Sequence, residues 1–132
     1  MTRQELIDKA LSVVRAYTNG PHVVGDVGCA LVTEAGHVFT GVCIDAPSGM
    51  GFCAEHNAIG AMVTAGETRI RTIVAVWSEG GDRYVLSPCG RCRQFIYQTD
   101  KANLDTEVVL GVDETVSLRE LLPRHDWFKK LD

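Results

Sequence analysis

The sequence predicts an α/β protein, a mixed sheet flanked by helices, and two observations predict it. Helix-period segments alternate with β-prone runs: an opening helix, two strands, then helix, strand, helix, strand. The first two strands are joined by three residues, short enough for an antiparallel hairpin, whereas the later ones are separated by helices long enough to return the chain as a crossover. With 132 residues the chain reads as one domain over 1–132, large enough to bury roughly two thirds of its unfolded surface.

Thr2 followed by Glu5 is a capping-box pattern, and Leu6, Ala10, Val13, Val14 and Tyr17 recur at helical spacing until Asn19-Gly20-Pro21. This predicts an amphipathic helix lying on the sheet. Gly28 to Thr33 and His37 to Cys43 read as strands, with Glu34-Ala35-Gly36 as their hairpin link. Asp45 to Gly51 is rich in turn formers and reads as a loop. A helix follows from about Ala54 to Ala65, built on Ala54, Ala58, Ile59, Ala61, Met62 and Val63, with Gly66 as its stop. Thr72 to Trp77 is a continuous apolar run, the pattern of a strand covered on both faces, and Ser78 to Asp82 reads as a glycine-containing loop. Ser87 as cap and Pro88 as first residue open the next helix, which continues through Phe95, Ile96 and Tyr97 to about Thr99. Glu107 to Val112 is a further strand. Ser117 with Glu120 caps a short last helix over Leu118, Leu121 and Leu122, ended by Pro123.

Thirteen Lys and Arg against seventeen Asp and Glu give a net charge of −4, and no basic run exceeds Lys129-Lys130, which argues against a nucleic-acid partner. No apolar stretch approaches the roughly 20 residues needed to cross a bilayer. Met1 to Glu5 carries an acid and leads into no apolar block, so it reads as neither signal nor transit peptide, and a cytoplasmic location is expected. In that reducing setting five cysteines, an odd number, argue against a disulfide framework and leave metal binding, catalysis or packing. Cys29, flanked by Gly28, Ala30 and Leu31, reads as core.

Reactive groups stand at two helix starts, Cys53-Ala54-Glu55 and Pro88-Cys89-Gly90-Arg91-Cys92. A Cys-x-x-Cys pair at a helix N-terminus can aim both sulfurs at one ion, and the unpaired N–H groups there favour thiolates. Cys53 would add a third ligand. Three protein ligands leave a fourth tetrahedral position for water, the arrangement of a catalytic zinc, and Glu55 stands close enough to exchange protons with that water. Cys-x-Glu followed by Pro-Cys-x-x-Cys is the known signature of zinc-dependent nucleobase deaminases.

The likeness extends over most of the chain. Gly28-Cys29-Ala30-Leu31-Val32, Phe39-Thr40-Gly41-Val42, Cys53-Ala54-Glu55, Ser87-Pro88-Cys89-Gly90-Arg91-Cys92-Arg93-Gln94 and Glu120-Leu121-Leu122-Pro123 together resemble the cytidine deaminase family. The resemblance is to its small three-cysteine branch, which includes cytidine deaminases and blasticidin-S deaminases. It implies a cytidine deaminase-like three-layer fold, with a five-stranded mixed sheet between helices, and a homotetramer whose active sites borrow residues from neighbours. The activity implied is zinc-dependent hydrolytic deamination: the cytosine moiety of a free nucleoside or analogue (cytidine, deoxycytidine or blasticidin S) becomes uracil and ammonia is released. By this resemblance Cys53, Cys89 and Cys92 hold Zn2+, Glu55 is the proton shuttle, and the backbone around Ala54, Ser87 and Cys89 reads the polar edge of the pyrimidine.

Three features depart from the family pattern or extend it. Many members carry Arg after the catalytic Glu, where it donates to the cysteine sulfurs; here that residue is His56, leaving His56 and Arg91 as candidates to tune the metal. Asn-x-Glu, which holds the ribose hydroxyls in cytidine deaminases, is replaced by Cys43-Ile44-Asp45, so Cys43 and Asp45 become candidate substrate contacts and a modified nucleoside gains weight. Trp127 and Phe128 stand at the spacing where the family places an aromatic that covers a site, often a neighbour's. Two rival functions use the same residues. A polynucleotide cytosine deaminase would want a basic stripe that is absent; a non-catalytic zinc-binding structural or interaction protein would want a fourth protein ligand and no Glu55.

Overall fold

A computed structural model describes all 132 residues. Its elements are α1 (Arg3–Ser12), β1 (Tyr17–Asn19), β2 (His22–Val24), β3 (Val27–Thr33), β4 (Val38–Val42), α2 (Ala54–Thr64), β5 (Ile70–Glu79), β6 (Asp82–Leu86), α3 (Gly90–Thr99), β7 (Glu107–Gly111), β8 (Glu114–Ser117) and α4 (Leu118–Leu121), with 3-10 turns at Pro47–Gly49 and Lys101–Asp105. None of its helices is long and apolar enough to cross a membrane.

Strand alternation splits the interior into two cores. Cys29 and Leu31 of β3, Ile73 of β5 and Val108 of β7 face α2 and α3, where Ala58, Ile59, Met62 and Ile96 meet them. Ala30 and Val32, Val74 and Val76, and Val109 face the other way, onto Leu6, Ile7 and Ala10 of α1. The result is a mixed sheet flanked by helices, as the sequence predicts, in the three layers the family resemblance implies, and the buried Cys29 is a core residue.

The strand count is corrected from five to six. The main sheet runs β4-β3-β5-β7-β8, and β6 is hydrogen-bonded to β5 as well. Only the β5–β7 pair is parallel. The loop expected at Ser78 to Asp82 is instead the end of β5, a two-glycine turn at Gly80 and Gly81 (φ +58° and +86°), and the start of β6. Strand β8 was likewise hidden, because Asp113 and its neighbours carry too little apolar alternation to read as an edge strand.

The opening helix is also shorter than its periodicity suggests. It ends at Ser12, and Tyr17 belongs to the ribbon of β1 and β2. The cause is a contact distant in sequence: Arg15 donates its backbone N–H to Gly25 O at 2.9 Å, and a Cβ on Gly25 (φ +80°) would collide with Arg15 O. Helix α3 starts later than expected. Its N-cap is Cys89, so Ser87 and Pro88 precede the helix, and the Ser87 hydroxyl accepts from Arg93 Nη2 at 3.0 Å.

Strands β6 and β7 share one edge of β5. Ala75 to Glu79 pair with β6, whereas Thr72 and Ile73 pair with β7. The sheet therefore divides near the middle of β5, and the chain leaving β6 emerges there as Ser87-Pro88-Cys89. Glu55 and Pro88 line a cavity of about 10 Å³ in this cleft, together with Ile73, Ala75, Leu86 and Val108. That is about the room of one water molecule.

Candidate metal centre

Two helices begin at the cleft, each with a cysteine at its N-cap. Cys53 caps α2 and Cys89 caps α3, and neither sulfur makes the usual capping bond to its own helix. Both are free to face each other across 3.7 Å. Cys92, the third residue of α3, lies 3.4 Å from Cys89. The third residue of α2 is His56, and its Nδ1 lies 3.5 Å from Cys92 Sγ. Ligand atoms of Cys53, His56 and Cys92 all lie within 4.8 Å of one another.

This donor set fits zinc. Bonds of about 2.3 Å in a tetrahedron put ligand sulfurs about 3.8 Å apart, close to the separations seen here. The structure brings the sulfurs of Cys53, Cys89 and Cys92 together from two helices, while the group whose ligand atoms all lie within 4.8 Å of one another takes in His56 and leaves out Cys89. The sequence-based expectation missed that Cys53-x-x-His56 on α2 repeats the spacing of Cys89-x-x-Cys92 on α3, a signal present in the sequence.

Burial and mutual proximity set the state of these groups. Desolvation pushes the Cys92 thiol far above its ordinary value, reinforced by the Glu55 charge and the neighbouring sulfurs. Cys53 is raised too, chiefly by desolvation. Desolvation also acts on Cys89, but hydrogen bonds from the Cys92 N–H and from the Cys92 and Cys53 thiols outweigh it and lower its pKa. A divalent cation among the three would reverse the cost of ionising them.

Glu55, second in α2, is only 6% exposed. Burial pushes its carboxyl above the usual carboxylate range, opposed in part by hydrogen bonds from its own backbone N–H and from Cys92. A buried carboxyl beside a metal-binding set suits proton transfer near neutral pH. Desolvation, followed by the charge of Arg91, lowers the pKa of His56.

The site is seated from behind. Gly41 of β4 lies so close to α2 that a Cβ would stand 2.5 Å from Ala58 N and 2.9 Å from Ala54 O, and Asn57 Nδ2 donates to Val42 O at 2.7 Å. Backbone pairing of Ile44 with Phe52 closes the neck of the loop leading to Cys53. On the α3 side, Arg93 donates to Pro88 O, Ser87 Oγ and Leu121 O, tying the cysteine loop to α4.

Other expected site residues stand as follows. Ala54 is fully buried at the first position of α2 and Ser87 is exposed. The Cys43 thiol is engaged within the fold: it donates to Asp26 Oδ1 at 3.1 Å and accepts from the Val27 N–H. Asp45 is exposed and pairs with His22 at 3.2 Å. Arg91 is exposed on α3 without an ion-pair partner, so its influence reaches the site through the charge it places near His56. Trp127 and Phe128 pack against each other at 4.9 Å and stay 68% and 71% exposed.

Residues 1–108 match the family model described as the cytidine and deoxycytidylate deaminase zinc-binding region. A Dictyostelium discoideum protein named probable cytidine deaminase is 36% identical over 96 residues, 70% of this chain and 64% of that protein. Blasticidin-S deaminase of Bacillus cereus is 38% identical over 99 residues, 70% of this chain and 69% of the relative. The crystal structure of cytidine deaminase from Mycobacterium tuberculosis superposes with a TM-score of 0.79 at 26% identity, covering 97% of this chain and 99% of the other.

Proposed function

The chain belongs to the cytidine and deoxycytidylate deaminase family, zinc-dependent hydrolytic enzymes, and from that premise we propose that it deaminates the cytosine moiety of a free nucleoside or nucleoside analogue, giving uracil and ammonia. The observation that carries this reading is the buried Glu55 carboxyl beside thiols converging from two helix N-termini.

Cys53, Cys89 and Cys92 would hold the metal, and His56 would support Cys92 from outside, as their mutual distances allow. Zinc bound there supplies the Lewis acidity that makes water a nucleophile near neutral pH. Glu55 accepts one proton of the attacking water on a carboxylate oxygen and delivers it to N3 as C4 becomes tetrahedral, then accepts the remaining proton from the new C4 hydroxyl and hands it to the departing amine as the C4–N bond breaks and C4=O forms. Its burial suits that cycle, because a raised pKa makes the carboxylate a better acceptor for the water proton and brings its titration closer to neutral pH, where it can both take up and return a proton. As the family resemblance implies, the backbone at Ala54 and around Cys89, together with Ser87, would read the polar edge of the ring. The partial positive charge at these helix starts offsets thiolate charge.

The sugar side favours a nucleoside other than plain cytidine. Cys43 is already bonded to Asp26, and Asp45 presents a carboxylate held by His22, an arrangement that receives a hydroxyl or an amino group. Glu55→Ala is the deciding variant, assayed by ammonia release and loss of cytosine absorbance with cytidine, deoxycytidine and blasticidin S. Turnover should fall by a factor of about 10² to 10⁴ on every substrate the wild type accepts, with zinc content unchanged. Wild-type rates in the variant would overturn the mechanism.

A further inference from the structure

Three thiolates and one Zn2+ sum to a charge of −1, so the grip on the metal depends on what donates to the sulfurs from outside. Neither arginine of the cysteine loop does so. Arg93 spends its guanidinium on Pro88 O, Leu121 O and Ser87 Oγ, and Arg91 projects from the exposed side of α3. The side chain in contact with a site sulfur is His56, 3.5 Å from Cys92. Its ring lies flat on Phe95, with centroids 4.4 Å apart and planes within 5°. Phe95 is itself fixed, packed from α3 against the core that includes Ala54 and Ile96.

We propose that Phe95 is a positioning residue for the metal centre: stacked on His56, it aims Nδ1 at the Cys92 sulfur and so strengthens the hold of the three cysteines on zinc. This rests on the ligand set given above. A metal-bound thiolate carries no proton, so the hydrogen bond must run from Nδ1–H to sulfur and the imidazole must be the Nδ1 tautomer. An imidazole free to turn about its Cα–Cβ and Cβ–Cγ bonds would meet that requirement only part of the time. Parallel contact with an aromatic ring removes the rotation about Cβ–Cγ, which is why a phenyl ring on the next helix affects a sulfur it does not touch. Phe95 and His56 sit on different helices, so the stack also ties α3 to α2 beside the ion.

The test is zinc competition against a chromogenic chelator, with wild type, Phe95→Leu, Phe95→Tyr, His56→Leu and the Phe95→Leu/His56→Leu double variant, each checked for fold by circular dichroism. Phe95→Leu and His56→Leu should each weaken zinc binding about 10- to 100-fold, as loss of outer partners does at such sites. Phe95→Tyr, which keeps the stack, should bind as wild type. The double variant should be no weaker than His56→Leu alone, because Phe95 acts through the imidazole. Additive losses would mark Phe95 as merely structural, and unchanged binding in Phe95→Leu by a wild type that holds one zinc would end its role while leaving the ligand set intact. A wild type that holds no zinc would overturn both. With Co2+ in the site, d–d bands that keep their position and intensity in His56→Leu, while the sulfur-to-metal charge-transfer bands move to lower energy for want of the N–H donor, support the proposal. A shift of the d–d bands showing loss of a nitrogen ligand would make His56 a ligand and overturn it.

Discussion

Cys53 and Cys89 occupy positions that helices normally give to Ser, Thr, Asp or Asn, whose oxygens accept from the first free N–H groups. A thiol caps poorly, so each helix sacrifices local stability to place a sulfur at the cleft. Replacing Cys89 with Ser separates the two effects. In metal-free protein Cys89→Ser should be more stable than wild type by about 1 kcal/mol in urea unfolding, whereas with zinc present the order should reverse. A metal-free Cys89→Ser protein that is less stable than wild type would show that the sulfur packs rather than waits for metal. At this scale the sequence is legible where chemistry restricts residue type: the Cys-x-Glu and Pro-Cys-x-x-Cys spacings single out Cys53, Glu55, Cys89 and Cys92, and their roles come from the family resemblance those spacings carry. The imidazole of His56 was visible, but its partner Phe95 was not, since a contact between helices 39 positions apart leaves no local pattern. Asn103 was invisible for the same reason. It is fully buried, accepts from the Ile70 N–H and Arg69, and donates to Thr68 O and Ile96 O, joining the end of α3 to the start of β5.

Elements were legible in proportion to how far their own sequence decides them. Helix α2 carries its apolar face and its glycine stop locally, and its expected and observed ends agree to within a residue. The end of α1 is fixed by Gly25, and β6 exists because β5 offers it a free edge; neither fact lies in the segment concerned. The seat of α2 on β4 is the contact that matters most for function, because it sets where Cys53 and Glu55 stand. Gly41→Ala tests it. The added methyl would meet backbone atoms of Ala54 and Ala58, which cannot turn aside as a flexible side chain would. The expected result is a loss of about 2–3 kcal/mol in urea unfolding, with a larger loss of zinc affinity than an equally destabilising change elsewhere produces. Zinc affinity left at the wild-type level would show that the α2 N-terminus is held by the cysteines alone.

Across the whole molecule, the two cores are complete without the metal, since the sheet is packed on both faces by residues outside the site. Zinc therefore ties two helix starts together in a fold that stands without it. Chelation should lower Tm by more than about 10 °C, the shift expected when a tightly bound ligand of one state is removed, while the far-ultraviolet circular dichroism stays that of a folded α/β protein. Collapse to a random-coil spectrum would show that the metal holds the fold itself.

The C-terminal tail raises the remaining question at this scale. Gln94 Nε2 donates to His125 O and Tyr97 OH donates to Asp126, which fasten the chain along α3, after which Trp127, Phe128 and Leu131 stand exposed with no apolar cover. We propose, as the family resemblance implies, that these apolar side chains cover a neighbour's site in a homotetramer. A mixing experiment tests both parts at once. A chain truncated after Asp126 keeps Glu55 but lacks the cover, and a full-length Glu55→Ala chain has the cover but lacks the proton carrier. Each alone should turn over poorly. Unfolded together and refolded as mixed tetramers, they should regain activity, because a truncated protomer's site then receives the tail of a Glu55→Ala neighbour. Recovery that disappears when the two are refolded separately and then combined places the tail between protomers. A truncated chain that is fully active alone, or a wild type that sediments as a monomer, would confine each site to its own chain.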